Sequence, residues 1–250
     1  MSAPDELTPP LELEVDEALL LLSAGELSIE GRLVDASNAT LYCAVSMDGV
    51  SAACVYKPVA GERPLWDFPD GTLAEREVAA YAVSAATGWA LVPPTVYRLD
   101  GPAGAGMVQL WIAEDETTDI VSLIRSRDAA ELRRMAVFDA VINNADRKGG
   151  HLLPTPTGHI YGVDHGVTFH SEDKLRTVLW QWAGKPLTDE AEDVLRRLRA
   201  DLDATLGEQL GELLTTREIR RTKARVDQLL SRRRHPEPSN DWPAVPWPPM

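Results

Sequence analysis

The 250-residue chain reads as an α+β protein of two lobes: an antiparallel β-sheet with one helix first, then a mostly helical half. Three observations predict this. Between residues 27 and 57 apolar and polar side chains alternate, with turn residues between the runs. Residues 72 to 87 form a single helical pattern with its own start signal. Beyond an acidic, strand-breaking run at Asp115 to Asp119, apolar residues recur at helical spacing as far as Leu230.

In order, residues 1–15 are rich in proline and acid and read as a loose lead-in. The first lobe is expected over 16–114, the second over 115–235, and a Pro/Trp tail over 236–250. Asp16 can cap a short helix to Ser23 that Gly25 ends. Leu27, Ile29 and Leu33 alternate with Ser28, Glu30 and Arg32, as in a half-buried strand. Thr40 to Val45 is a second strand, Met47-Asp48-Gly49 a hairpin signal, and Ser51 to Lys57 a third strand. The turn Val34-Asp35-Ala36-Ser37-Asn38-Ala39 joins the first two strands and suits a plain hairpin loop as well as any binding role.

Lys57 closes an apolar strand. A buried ammonium is costly unless paired, so Lys57 either snorkels from an edge or meets an acid or a phosphate. The next helix, Thr72 to Thr87, opens with a Thr72/Glu75 capping box. That occupies Glu75 and leaves Glu77, just before the small apolar run Val78 to Val83, as the first candidate partner, with Glu75 the fallback. Val96 to Leu99 and Met107 to Ala113 are two more strands around the turn Gly101 to Gly106; no helix follows those glycines, so they are no dinucleotide fingerprint. Gln109 to Glu114 leads into the break between the lobes.

Asp119 to Arg125 and Asp128 to Ile142 are helical, and Thr188 caps a later helix with Asp189 and Glu190 in its first turn. Leu195, Leu198, Leu202 and Leu206 form a buried stripe, and Ile219 to Leu230 adds a last helix. Eight cations between Arg217 and Arg234 face two acids; a solvated helix face is the favoured reading, an acidic partner or substrate surface the other. The proline-rich tail cannot be helical. Trp242 and Trp247 favour its strapping back onto the body over disorder.

A 44% hydrophobic composition is ample for a core. A net charge of −14 argues against nucleic acid and against anionic membranes. No apolar run approaches the ~20 residues of a membrane span, and Met1 to Leu7 lacks the basic start of a signal peptide, so a cytoplasmic protein is expected. Cys43 and Cys54 are expected as buried free thiols in neighbouring strands. Oligomeric state is not legible.

The chemistry-bearing stretch is 138–169, FDAVINNADRKGGHLLPTPTGHIYGVDHGVTF. An apolar helical run delivers Asn143 to His151; a turn and the short strand Ile160 to Val163 deliver Asp164-His165-Gly166. Asp146 and Asp164 thus each stand where an apolar segment meets a polar loop, close enough in sequence for the connection to bring them together. Phosphoryl transfer needs such a pair, one carboxylate for the acceptor hydroxyl and one for the metal that bridges the ATP phosphates. The alternative is two unrelated surface turns.

Asn144-Ala145-Asp146-Arg147 and Val163-Asp164-His165-Gly166, with Arg76-Glu77-Val78-Ala79-Ala80-Tyr81 and Val92-Pro93-Pro94-Thr95 upstream, resemble the phosphatidylinositol 3- and 4-kinase superfamily. The likeness is to its type II and plant gamma branches, as a small actinobacterial-type member, over roughly residues 27 to 170. It implies a kinase-like two-lobe fold binding ATP with Mg2+ or Mn2+. It implies Asp146 as the catalytic Asp and Asp164 as metal ligand, with Lys57, held by Glu77, on the phosphates. Ser37 and Asn38 would cover the phosphates, and the Gln109–Trp111 segment would border adenine. Where the family has a metal-binding Asn, this chain has His151, and Lys148 stands where the family often has His. Imidazole suits manganese better than magnesium.

The function expected is transfer of phosphate from ATP to a hydroxyl of a soluble protein or small polyol. Nucleotidyl transfer, and nucleotide binding without turnover, are the alternatives; a plain interaction module is a third.

Overall fold

The computed structural model describes residues 13–33 and 38–250. Asp48 and Gly49 both take positive φ, 51° and 82°, the backbone a two-residue I′ hairpin requires. Met47 therefore pairs directly with Val50, and strands β2 (Leu41–Met47) and β3 (Val50–Pro58) are held in register. With β1 (Glu26–Arg32), β4 (Thr95–Gly101) and β5 (Gly104–Leu110) they make an antiparallel sheet ordered β1-β2-β3-β5-β4. Helix α1 (Val15–Ala24) lays Leu21 and Leu22 against Cys43, Val45, Cys54, Tyr56 and Val108, a small core of its own.

Helix α2 (Leu73–Thr87) contacts β4 and β5 on one side and the helical lobe on the other. Its Ala79, Ala80 and Val83 join a larger core built from α4 (Ala130–Ile142), α5 (Asp189–Asp201), α6 (Thr205–Gly211) and α7 (Thr216–Arg232). Leu195, Leu198, Leu202 and Leu206 are all buried in it. Asp119 caps α3 (Ile120–Arg125) and Thr188 caps α5 through its side chain. Strands β6 (Leu152–Pro154) and β7 (Ile160–Gly162) form a separate ribbon beneath the sheet lobe. The whole is an α+β arrangement, a five-stranded antiparallel sheet joined to a mostly helical half. No helix among the described residues is long and apolar enough to cross a membrane.

Several local expectations are corrected. A bulge between Ile29 and Gly31 breaks the alternation of β1, so Ile29 faces solvent. Glu14, not Asp16, opens α1, its amide donating to the Glu17 carboxylate. Thr72 forms no capping box: its hydroxyl donates to the Pro69 carbonyl. Glu62 caps α2 instead, accepting from the Leu73 and Ala74 amides at 3.1 and 2.8 Å, because a charged acceptor reaching in from the loop outcompetes a hydroxyl. The turn at the glycine cluster is only Pro102-Ala103; β5 already begins at Gly104. Gly106 lies where a Cβ would collide with the Lys57 carbonyl and sit 2.7 Å from the Pro58 Cα.

Cys43 and Cys54 face each other across β2 and β3 as buried free thiols, and burial pushes them up to about 11 and about 12. The tail does return to the body. The Thr177 amide and Trp180 Nε1 donate to the Ala244 carbonyl, and the Gly149 amide donates to that of Pro249. Trp242 stacks on Trp66, but Trp247 stays 86% exposed, so only one of the two expected anchors is used.

Candidate active site

Helix α4 ends because Asn143 turns left-handed at φ 54°. Its side chain then holds the segment beyond Asp164, donating to the His170 and Glu172 carbonyls and accepting from the Lys174 amide. Next in line, Asn144 donates to Asp139 Oδ1 at 3.0 Å and accepts from the Asp146 amide at 2.9 Å. Asp139 is buried on α4 and pairs at 2.9 Å with Arg147, which is buried completely. Arg147 donates further to the His151 and Val163 carbonyls, and its Nη2 lies 2.6 Å from His165 Nε2. One guanidinium therefore fastens helix, loop and the strand that carries Asp164. Sequence reasoning noted Arg147 and His165 only as parts of motifs and passed over Asp139. The signal was there: a carboxylate on the apolar face of a helix needs a partner.

Lys57 reaches across from β3. Its Nζ lies 2.6 Å from Glu77 Oε1 and 2.8 Å from Asp164 Oδ1. The other Glu77 oxygen accepts from the His165 amide at 2.8 Å. Glu75, the fallback, is not the partner. Asp164 sits at φ 61°, a conformation that costs a non-glycine residue about 1 kcal/mol or more and is found where surroundings over-determine it. Its second oxygen is 3.4 Å from His151 Nε2.

These side chains open onto a cleft of about 520 Å3 between the lobes, which Asn38, Lys57, Gln109, Trp111, His151 and Asp164 line. Gln109 is buried and donates to Thr95 Oγ1; Trp111 is partly exposed and packs edge-on against Tyr42. Asn38 accepts from the Arg63 amide. Asp146 does not line the cleft; its carboxylate is 3.1 Å from Lys148 Nζ. Ser37 lies outside the described residues. Among the described residues no three His, Cys, Asp or Glu side chains converge as a metal cluster.

Protein Rv2133c of Mycobacterium tuberculosis (strain ATCC 25618 / H37Rv) is 45% identical over 268 aligned positions, spanning 93% of this chain and 95% of that protein. The chain belongs to the Rv2133c family. No protein-family model matches it. The crystal structure of a Helicobacter pylori proinflammatory kinase, CtkA, superposes with a TM-score of 0.47 at 11% identity, over 84% of this chain and 93% of that one.

The electrostatics of this Rv2133c-family cleft follow from its geometry. Burial works against the Lys57 ammonium, but Asp164 and Glu77 overcome it and raise its pKa. Lys57 in turn holds the Asp164 carboxyl well below the usual carboxylate range. Burial raises Glu77, against the pull of Lys57. Burial also lowers His151, favouring the neutral imidazole, and its buried Nδ1 has no partner among the described residues. A fixed cation, a half-exposed carboxylate and a neutral imidazole at the base of one cleft suit a ligand that brings its own anionic groups and a metal.

Proposed function

We propose that the chain is an ATP- and metal-dependent phosphotransferase, phosphatidylinositol kinase-like in its site, acting on a hydroxyl of a soluble protein or small polyol. The observation that carries this reading is Lys57 held between buried Glu77 and Asp164 at the base of an interlobe cleft. Lys57 would bind the α/β-phosphates, with Asn38 and Ser37 above them. The Leu110 and Trp111 amides are already bonded to Pro94 and Ala53, so an amide donor to adenine would come from residues 112–114, with Gln109 and Trp111 beside it.

Asp164 and His151 would hold Mg2+ or Mn2+; the half-exposed carboxylate and the neutral imidazole fit a divalent ion, and His151 favours manganese. When bound, the metal supplies charge neutralisation of the phosphates. Asp146 would orient the acceptor hydroxyl and take its proton as the acceptor oxygen bonds to the γ-phosphorus, the bond to the β,γ-bridging oxygen breaks, and ADP leaves. A net charge of −14 disfavours an anionic lipid surface and so favours a soluble acceptor.

Incubation with labelled ATP and Mn2+ or Mg2+, with Asp146→Ala and Asp164→Ala as controls, tests this. Transfer of the γ-label lost in both variants supports it; transfer of the α-label would make the chain a nucleotidyl transferase instead. A second reading, nucleotide binding without turnover, is favoured by the Lys148 ammonium on Asp146, the group that should receive the proton. Stabilisation by ATP with metal, but no transfer of either label, would select it.

A further inference from the structure

A second cavity, larger than the interlobe cleft, lies elsewhere among the described residues. It measures about 1120 Å3 and lies in the helical lobe, between α7, the segment following Asp164, and the returning tail. Five arginines line it: Arg217, Arg221, Arg225, Arg232 and Arg234. The expectation of a solvated helix face accounts for only part of the basic stretch. Lys223 pairs with Asp203 and Arg233 with Glu192, both away from this cavity.

Inside the cavity the ion pairing is sparse. Glu172, Asp173, Glu237 and Asp241 also line it, all exposed. The only contact within 4.0 Å among the described residues is a loose one, Arg221 to Asp173 at 3.6 Å. Arg234 bonds to the Gly184 carbonyl. Arg225 is the deepest. It is 7% exposed, and its guanidinium donates to the Val141 and His170 carbonyls and to Thr222 Oγ1. Those acceptors are neutral and use three of its five N–H groups. Burial pushes its pKa down to about 10; Asp173 and Glu218 oppose the fall and the neighbouring Arg221 adds to it. The Arg221 Nε is also buried with no acceptor among the described residues. A buried cation with no carboxylate in direct contact is a costly state; among the described residues Arg225 is one, beside a second arginine whose carboxylate partner, Asp173, is 3.6 Å away.

We propose that this cavity is a second binding site, for a small organic or inorganic polyanion carrying at least two phosphoryl groups. Arginine forks match phosphoryl oxygens in bidentate geometry, and a phosphoryl group offers more charge and more acceptors than a carboxylate. The volume exceeds what one phosphate fills, and Trp180 and Trp242 on its walls offer flat apolar surface to the rest of the ligand. The site stands apart from the cleft of Lys57 and does not depend on the phosphotransferase reading.

The test uses the full chain with inorganic pyrophosphate as probe, in EDTA, followed by calorimetry and tryptophan fluorescence. Saturable 1:1 binding is expected, unchanged in Lys57→Met and weakened at least tenfold in the Arg217→Gln/Arg232→Gln double variant, whose two side chains are exposed and whose melting temperature should match the parent. Arg225→Lys, which keeps the charge and loses the fork, should weaken it as well. The proposal is overturned by no saturable binding, by binding that survives the double variant, or by binding lost with Lys57. Citrate binding as tightly as pyrophosphate would overturn the phosphoryl assignment.

Discussion

Glu77 and Asp164 both touch the Lys57 ammonium, yet their loss should read out very differently. Glu77 is 2% exposed and uses both oxygens, one on Lys57 and one on the His165 amide. Glu77→Ala strands that amide, worth about 1–3 kcal/mol, and removes one partner of a buried ion pair, a change that typically costs about 3–5 kcal/mol. Lys57 keeps Asp164, so the combined loss should stay near about 3–5 kcal/mol. For a chain of this size that is a fall in Tm of roughly 6–20 °C. The Asp164 side chain is 47% exposed. Asp164→Asn leaves Lys57 paired with Glu77, keeps an acceptor oxygen, and removes a carboxylate that opposes Glu77, so less than about 1 kcal/mol should be lost. Urea denaturation of both variants, with Glu77→Gln between them, measures the contrast. If Glu77→Ala stays within about 1 kcal/mol of the parent, or Asp164→Asn loses as much as Glu77→Ala, the assignment of Glu77 as the structural anchor of Lys57 is wrong.

His235 is buried and its pKa is lowered by burial from 6.5 to about 4. The unfolded chain therefore binds a proton that the fold refuses. The stability involved is intact above pH 6.5 and lost as pH falls toward 4, a total of about 3 kcal/mol. Denaturation at pH 7 and pH 4.5 should show this loss, and His235→Gln should flatten it; an equally steep loss in the variant refutes the role. Gly106→Ala drives a Cβ into the backbone of Lys57 and Pro58, neither of which can rotate aside, so about 1–3 kcal/mol should be lost. Nucleotide-induced stabilisation should weaken with it, read by thermal shift. Arg76 pairs with Glu218 at 2.6 Å, both largely buried. Arg76→Met and Glu218→Gln should each destabilise by about 3–5 kcal/mol and the double variant by clearly less than the sum; strict additivity in a double-mutant cycle would break the pair.

What was legible in the sequence was what period and local chemistry carry. Asp48-Gly49 announces its hairpin because few other pairs accept two positive φ angles, and Leu195, Leu198, Leu202 and Leu206 announce a buried stripe, although the chain breaks between α5 and α6 along it. The triad of Lys57, Glu77 and Asp164 was legible as residue types at the ends of apolar segments, one for each segment. Three things were not. Glu62 capping α2 reaches from a loop whose path no local rule specifies. The bulge in β1 shifts exposure by one residue without changing composition. The ion pair of Asp139 with Arg147 joins residues eight apart: a carboxylate on an apolar helix face signals that a partner is needed, but not which one. The great cavity on α7 was visible only as a run of arginines, because which of them find carboxylates depends on where Asp203, Asp173 and Glu192 arrive.

Two consecutive residues of α2 explain how the cleft keeps its shape. Glu77 points to Lys57 and to the His165 amide, while Arg76 donates to the Thr168 carbonyl at 2.7 Å and to Glu218, the residue that also caps α7. Successive residues on a helix diverge by about 100°, so one turn of α2 grips both lobes at once. Phe68 lies under the Arg76 guanidinium at 4.9 Å and closes that grip from the loop side. The Lys57 to Glu77 contact is thus not an isolated ion pair that a ligand must create; it is held by the same turn that docks the sheet onto the helical lobe. A ligand of the proposed kind would leave the Lys57 to Glu77 bond in place and exchange the contacts of half-exposed Asp164 with Lys57 and His151, the contacts whose loss the fold is expected to tolerate.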